Sequence, residues 1–219
     1  SYRSYFYQRS VPQDNAFVLF RSNRSGLMNI FRVELPSGTI TQLTDERGHV
    51  RDFVLSPNDE EVIYWGVSMK GKRSVKALHL ADYSGRTIYE VPDEWVYGSE
   101  IGLSSDGRYA VISEKWKADD IAGGDPAQQW ARMPLCRVVM MTTDGSESWV
   151  VHEEKRWLSH PQIRPGDNRA IMYCHMNPAE EIWLVDSDGS SVTSPRPQTG
   201  GEEIIHECWL ADGSKIAYV

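Results

Sequence analysis

Five times along this chain an apolar run, a tight polar turn and a second apolar run follow one another. The five are "VPQDNAFVLF" from Val11, "SPNDEEVIYW" from Ser56, "SSDGRYAVI" from Ser104, "RPGDNRAIMY" from Arg164 and "LADGSKIAYV" from Leu210. Anchored on Pro12, Pro57, Ser105, Pro165 and Ala211, the spacings are 45, 48, 60 and 46 residues. Further strand-like runs follow the hairpins, such as "NIFRV" with "ITQLT" and, later, "IWLV". Turns at Pro36-Ser-Gly38, Tyr83-Ser-Gly85, Thr143-Asp-Gly145 and Ser187-Asp-Gly189 punctuate them. Four short strands per repeat of about 40 to 50 residues is the form of a propeller blade. No window carries a long stripe of period 3.6, so helices should be rare.

The predicted fold is all-β, a β-propeller with four-stranded antiparallel blades forming one domain over residues 1–219. Propellers close with about 4 to 8 blades, and about seven fits here. This chain holds four to five of them. The repeat breaks off at Val219 inside the fifth, so the chain reads as part of a larger ring, with unpaired sheet to cover.

Bulk properties narrow the partners. The net charge is −8, and the only basic run is Lys70-Gly-Lys-Arg73. A nucleic-acid binder needs a broad basic footprint, which this lacks. Nothing approaches the roughly 18 apolar residues of a membrane span, and no leader pattern opens the chain. Cys136, Cys174 and Cys208 have no metal-type spacing and read as thiols of a reducing, cytoplasmic compartment. An acidic protein that takes an anionic ligand needs a local cationic pocket.

Blade geometry says which side chains can meet. The first strand of a blade lines the central channel, and the residue five before each anchor sits at its mouth. That row is Tyr7, Asp52, Glu100, His160 and His206, all polar or amphipathic. Three residues later stand Ser10, Leu55, Leu103, Ile163 and Trp209, mostly apolar, as a packing row should be. Wet channels routinely hold polar residues, but two histidines at one ring position in adjacent blades are less ordinary. The same face receives the long segment 117–134, which explains the 60-residue spacing. Arg137 and His175 also fall on that face, so they and the two histidines are expected to share one site, with Lys115 and Arg132 as neighbours. His79 alternates within a strand and reads as structural.

"RWLSHPQIRPGDNRAIMYCH" and "IIHECWLADGSKIAYV", together with "SYFYQRSVPQDNAFVLFRSNRSGLMNIFRVELPSGTITQLTD", resemble the oligogalacturonate lyases, propeller enzymes that act on short pectin fragments. The resemblance implies β-elimination of uronate chains with a divalent ion of manganese type. It carries His160, in His-Pro-Gln, onto the base that removes the C5 proton. It carries His206, in His-Glu-Cys-Trp, onto a metal ligand, and Arg137 onto the arginine that pairs with a substrate carboxylate. His175, Gln162 and Arg132 are the expected substrate contacts. The other metal ligands of the family, a Gln and two His, lie downstream of the His-Glu segment, beyond Val219. After Cys174-His175 the chain departs from the family pattern, with Met-Asn-Pro in place of an acidic-Gly-Pro sequence.

The residue types suit that chemistry. Removing a proton alpha to a carboxylate needs a base that titrates near neutral pH, as imidazole does. A divalent cation or an arginine clamp stabilises the enolate-like intermediate. The competing expectation is a non-catalytic, TolB-like propeller that binds peptides or proteins. Such a module has no use for histidines in adjacent blades beside Arg137.

Overall fold

The tip of each repeat hairpin requires a residue in left-handed backbone space. The chain supplies Asn15 (φ 55°), Asp59 (φ 62°), Gly107 (φ 73°), Gly166 (φ 77°) and Gly213 (φ 67°), types that adopt it at least cost. A side-chain oxygen then accepts from the backbone N–H two residues on. Asp14, Asn58, Asp106, Asp167 and Asp212 all do so, at 2.9, 3.3, 3.0, 3.1 and 2.9 Å. One local device is thus built five times from different letters. The second set of turns uses Gly38, Gly145 and Gly189 in the same way. In the second repeat Tyr83 (φ 57°) takes that place, not Gly85. Asp82 fixes the turn there by accepting from the Ser84 N–H at 3.0 Å.

These features come from a computed structural model, which describes residues 7–120, 133–176, 180–196, 204 and 206–219. The chain packs as two compact units, Ser1–Val91 and Pro92–Val219, with the boundary between the second and third repeats. In the first unit, β1 (Phe17–Ser25), β2 (Leu27–Glu34) and β3 (Ile40–Gln42) form one sheet. β4 (Phe53–Leu55), β5 (Glu61–Val67), β6 (Arg73–His79) and β7 (Gly85–Glu90) form the next. Phe17, Leu19, Ile30, Phe53, Leu55 and Val62 pack between them.

The second unit holds three sheets. β8 (Trp95–Tyr97), β9 (Gly102–Leu103), β10 (Tyr109–Trp116), β11 (Leu135–Thr142) and β12 (Ser148–Lys155) make the first, in the order β12-β11-β10-β8 with β9 also on β10. β13 (Leu158–Arg164), β14 (Asp167–Met176) and β15 (Glu180–Asp186) make the second, where Thr193 adds a single bridge to Leu184. β16 (Cys208–Trp209) and β17 (Ile216–Ala217) make the third. Every pairing is antiparallel and, except for β8 on β10, joins consecutive strands, the meander that the repeat predicts. Helix among the described residues is limited to a 3-10 turn at Lys117–Asp119, and no helix is long and apolar enough to cross a membrane.

Side chains alternate across a strand, so β14 is packed on both faces. Ile171 and Tyr173 face Val111, Cys136, Val138 and Met140 of the sheet before. Met172 and Cys174 face Ile182, Ile204, Trp209 and Ile216. This alternation decides which candidate residues meet.

Candidate active site

β13 starts at Leu158, well before Ile163 where the apolar alternation begins, and it is bulged. Ser159 pairs with Cys174 and Gln162 with Met172, so His160 and Pro161 together stand opposite Tyr173 alone. Pro161 has no N–H for a ladder, and an extra residue bends the strand and re-aims its side chain. His160 thereby sits at φ 50°, and His206, its equivalent in the next repeat, at φ 58°. Histidine tolerates that region better than most residues. Holding a side-chain-bearing residue there still costs about 1–3 kcal/mol, which the surrounding structure must supply.

Two carboxylates flank the ring. His160 Nδ1 lies 2.9 Å from Glu207 Oε1, and Nε2 lies 3.9 Å from Glu100 Oε2. The His160 side chain is 15% exposed and that of Glu207 1%. Gln162 holds this arrangement in place. Its Nε2–H donates to the Glu207 carbonyl at 2.9 Å, and its Oε1 accepts from the Trp209 N–H at 3.3 Å. Gln162, expected as a substrate contact, is therefore buried and committed to the backbone of residues 207–209. Glu100 reaches the site through Gly102: a Cβ there would fall 2.3 Å from the Pro161 carbonyl oxygen, so only glycine lets β9 close on β13.

His175 follows the opposite course. It lies on the other face of β14 from Cys174 and is 4% exposed. Its Nε2 meets Glu154 Oε1 at 2.5 Å, and His152 Nε2 lies 3.2 Å from the same oxygen. Tyr173 and Trp183 pack on its ring, with centroids 5.8 and 5.0 Å away. Burial by itself would raise the Glu154 pKa, but hydrogen bonds from His152 and His175 outweigh it and hold the carboxyl down to about 2. The expectation that His175 contacts substrate gives way to a sealed ion-pair cluster, because strand alternation turns it away from the His160 side.

Arg137, on β11, is held by Glu114: Nε and Nη2 each lie 2.7 Å from Oε2 of that fully buried carboxylate. Its guanidinium carbon sits 4.0 Å from the Trp95 ring centre. The pair fixes the plane of the guanidinium, as a fork-shaped donor on a carboxylate should. Lys115 bonds Asp120 at 2.6 Å and covers the Trp157 ring at 4.6 Å. Arg132 lies outside the described residues.

His206 is exposed, one residue before the buried Glu207. Among the described residues, the group of three donors close enough to share a cation is His160, Cys174 and Glu207, all within 4.8 Å of one another. His206 is not in it. The repeat alignment does not single out Glu207 or Cys174; for Cys174 the available signal is the even-numbered face of β14. Cys136, Cys174 and Cys208 form no disulfide, and Cys208 is only half-buried.

The family model described as oligogalacturonate lyase matches residues 1–219. The oligogalacturonide lyase of Pectobacterium atrosepticum and the oligogalacturonate lyase of Dickeya dadantii are each 30% identical to this chain over 234 aligned positions. Each alignment covers 100% of the chain but 57% of the relative, so the chain spans little more than half the length of these curated relatives. An oligogalacturonate lyase solved in complex with manganese has a TM-score of 0.89 at 30% identity, over 99% of this chain and 59% of that one. TolB from Acinetobacter baumannii, at 13% identity and a TM-score of 0.63 over 93% of this chain and 46% of that one, shares the fold alone. With the family model matched from the first residue to the last, and two lyases 30% identical along its whole length, this chain belongs to the oligogalacturonate lyase family.

Proposed function

We propose that the protein cleaves short oligogalacturonides by β-elimination, with His160 as the base. One observation carries the reading: His160 Nδ1 is 2.9 Å from the buried Glu207 carboxylate. A neutral imidazole that donates Nδ1–H to Glu207 keeps its lone pair on Nε2, the nitrogen on the other side of the ring. Nε2 then takes the C5 proton of a uronate. The electron pair left at C5 moves toward the carboxylate as an enolate, then returns to form the C4–C5 double bond as the C4–O bond breaks, and the departing oxygen takes a proton from solvent. Arg137, its plane set by Glu114 and Trp95, is assigned to the uronate carboxylate.

A divalent ion of manganese type, which the solved relative binds, supplies charge neutralisation at that carboxylate when bound. Of the residues in this chain, His206 fits such an ion in kind, since an exposed imidazole is a ligand that divalent metals accept. The thiol of Cys174 does not, because an ion as hard as manganese favours oxygen donors over sulfur. Three cysteines without a disulfide support a reducing, cytoplasmic setting.

The test is turnover of digalacturonate by the full-length protein supplied with manganese. Ultraviolet absorbance of the unsaturated uronate should rise in step with new reducing ends. New reducing ends without that absorbance mean hydrolysis, and neither signal means no cleavage; both outcomes defeat the reading.

A further inference from the structure

We propose that His160, Cys174 and Glu207 form a binding site for a soft divalent cation of the zinc class, distinct in preference from a manganese-type ion. The three come from separate elements: the bulge of β13, the even face of β14 and the residue just before β16. One nitrogen, one sulfur and one oxygen donor lie within 4.8 Å of each other, close enough for small side-chain rotations to bring all three onto one ion. Cys174 and Glu207 are buried and His160 is nearly so, which shields the donors from competing water.

The donor set decides the ion. Thiolate, imidazole and carboxylate are the ordinary ligands of zinc, and three protein donors leave the fourth tetrahedral position open. A thiolate and a carboxylate together carry two negative charges, which a dication neutralises. On binding, the Cys174 thiol releases its proton to solvent and the thiolate sulfur bonds the metal. Manganese ranks low for such a site, and the sulfur penalises it further. A second observation points the same way. Ser159 is paired directly with Cys174, so their side chains share a face. The Ser159 Oγ is buried and has no hydrogen-bond partner among the described residues. A polar atom left so beside a thiol marks a place built for something more than packing.

Occupancy would engage His160 and so block proton abstraction, a consequence that rests on the function proposed above. The site itself does not depend on turnover, and its test is spectroscopic. Full-length protein titrated with Co2+ should develop a thiolate-to-cobalt charge-transfer band saturating at one equivalent. Zn2+ should displace it, whereas excess Mn2+ should not. Cys174→Ala should abolish the band and weaken zinc, measured against a chromogenic chelator, by at least about 10-fold. Cys174→Ser, which preserves the packed volume, should do the same. No band in the unmodified protein overturns the proposal, as does a band that survives in both variants, which would place the thiolate at Cys136 or Cys208. Failure of the lyase reading would leave these readouts unchanged.

Discussion

Two histidine–glutamate pairs in the second unit differ in everything but their chemistry. His160–Glu207 joins a bulge to the segment before β16, and the far nitrogen of its ring faces Glu100 at 3.9 Å. His175–Glu154 joins β14 to β12, with Tyr173 and Trp183 packed on the ring. The first imidazole retains access on one side; the second is enclosed by strands and aromatic rings. A paired histidine is thus no guide to catalysis until its surroundings are known. The bulge sets His160 out of the regular alternation, whereas His175 obeys it and is buried.

The sharpest way to break this comparison is to remove each imidazole. His160→Ala should lower kcat by about 10²–10⁴-fold, the scale of a lost general base, with KM changed far less. His175→Ala should leave kcat within a few-fold and lower the melting temperature instead. Steady-state kinetics and thermal unfolding of both proteins decide it, and the reverse pattern would transfer the catalytic role to the sealed pair.

The carboxylates give a smaller contrast. Glu207→Gln should cost about 10–100-fold in kcat, as loss of an orienting partner does, with partial recovery in Glu207→Asp. Glu154→Gln should leave kcat alone and destabilise the fold by about 1–3 kcal/mol in denaturant titration, since it strips a charged acceptor from two imidazoles. Equal kinetic effects of the two changes would remove the distinction between the pairs.

The smallest effect is a pH dependence. The Glu154 carboxyl is held at about 2, below its ordinary 4.5. A depressed pKa contributes stability that is full above 4.5 and lost as pH falls through the folded value. The melting-temperature difference between the parent protein and Glu154→Gln should therefore be flat above pH 4.5 and shrink toward pH 2. A difference that grows on acidification would mean that another group governs the cluster.

Much of the fold was legible because its determinants are local. The five hairpin tips need a left-handed residue beside a side-chain acceptor, and Asn15, Asp59, Gly107, Gly166 and Gly213 can be read from their neighbours alone. The exception, Tyr83 in place of Gly85, arises where Asp82 holds the turn through Ser84. The site was legible only in part. The row at the channel mouth does contain Glu100 and His160, which meet. It could not show that Gln162 binds the backbone of a segment 45 residues away, or that Arg137 is held by a buried glutamate. Those depend on which strand faces which sheet.

The amino-acid order alone determined the blade: apolar alternation with period two, a turn at a fixed offset, and a return about every 45 to 60 residues. It also placed a His-Pro just ahead of the apolar alternation that starts at Ile163. Only the tertiary structure decided what that His-Pro does. Pro161 interrupts the ladder and the bulge swings His160 toward Glu207, a residue 47 positions later, while His175 turns inward on β14. Turn chemistry acts over two to four residues and can be read along the chain. Convergence of donors from separate sheets is a product of packing, which joins residues that the sequence holds far apart.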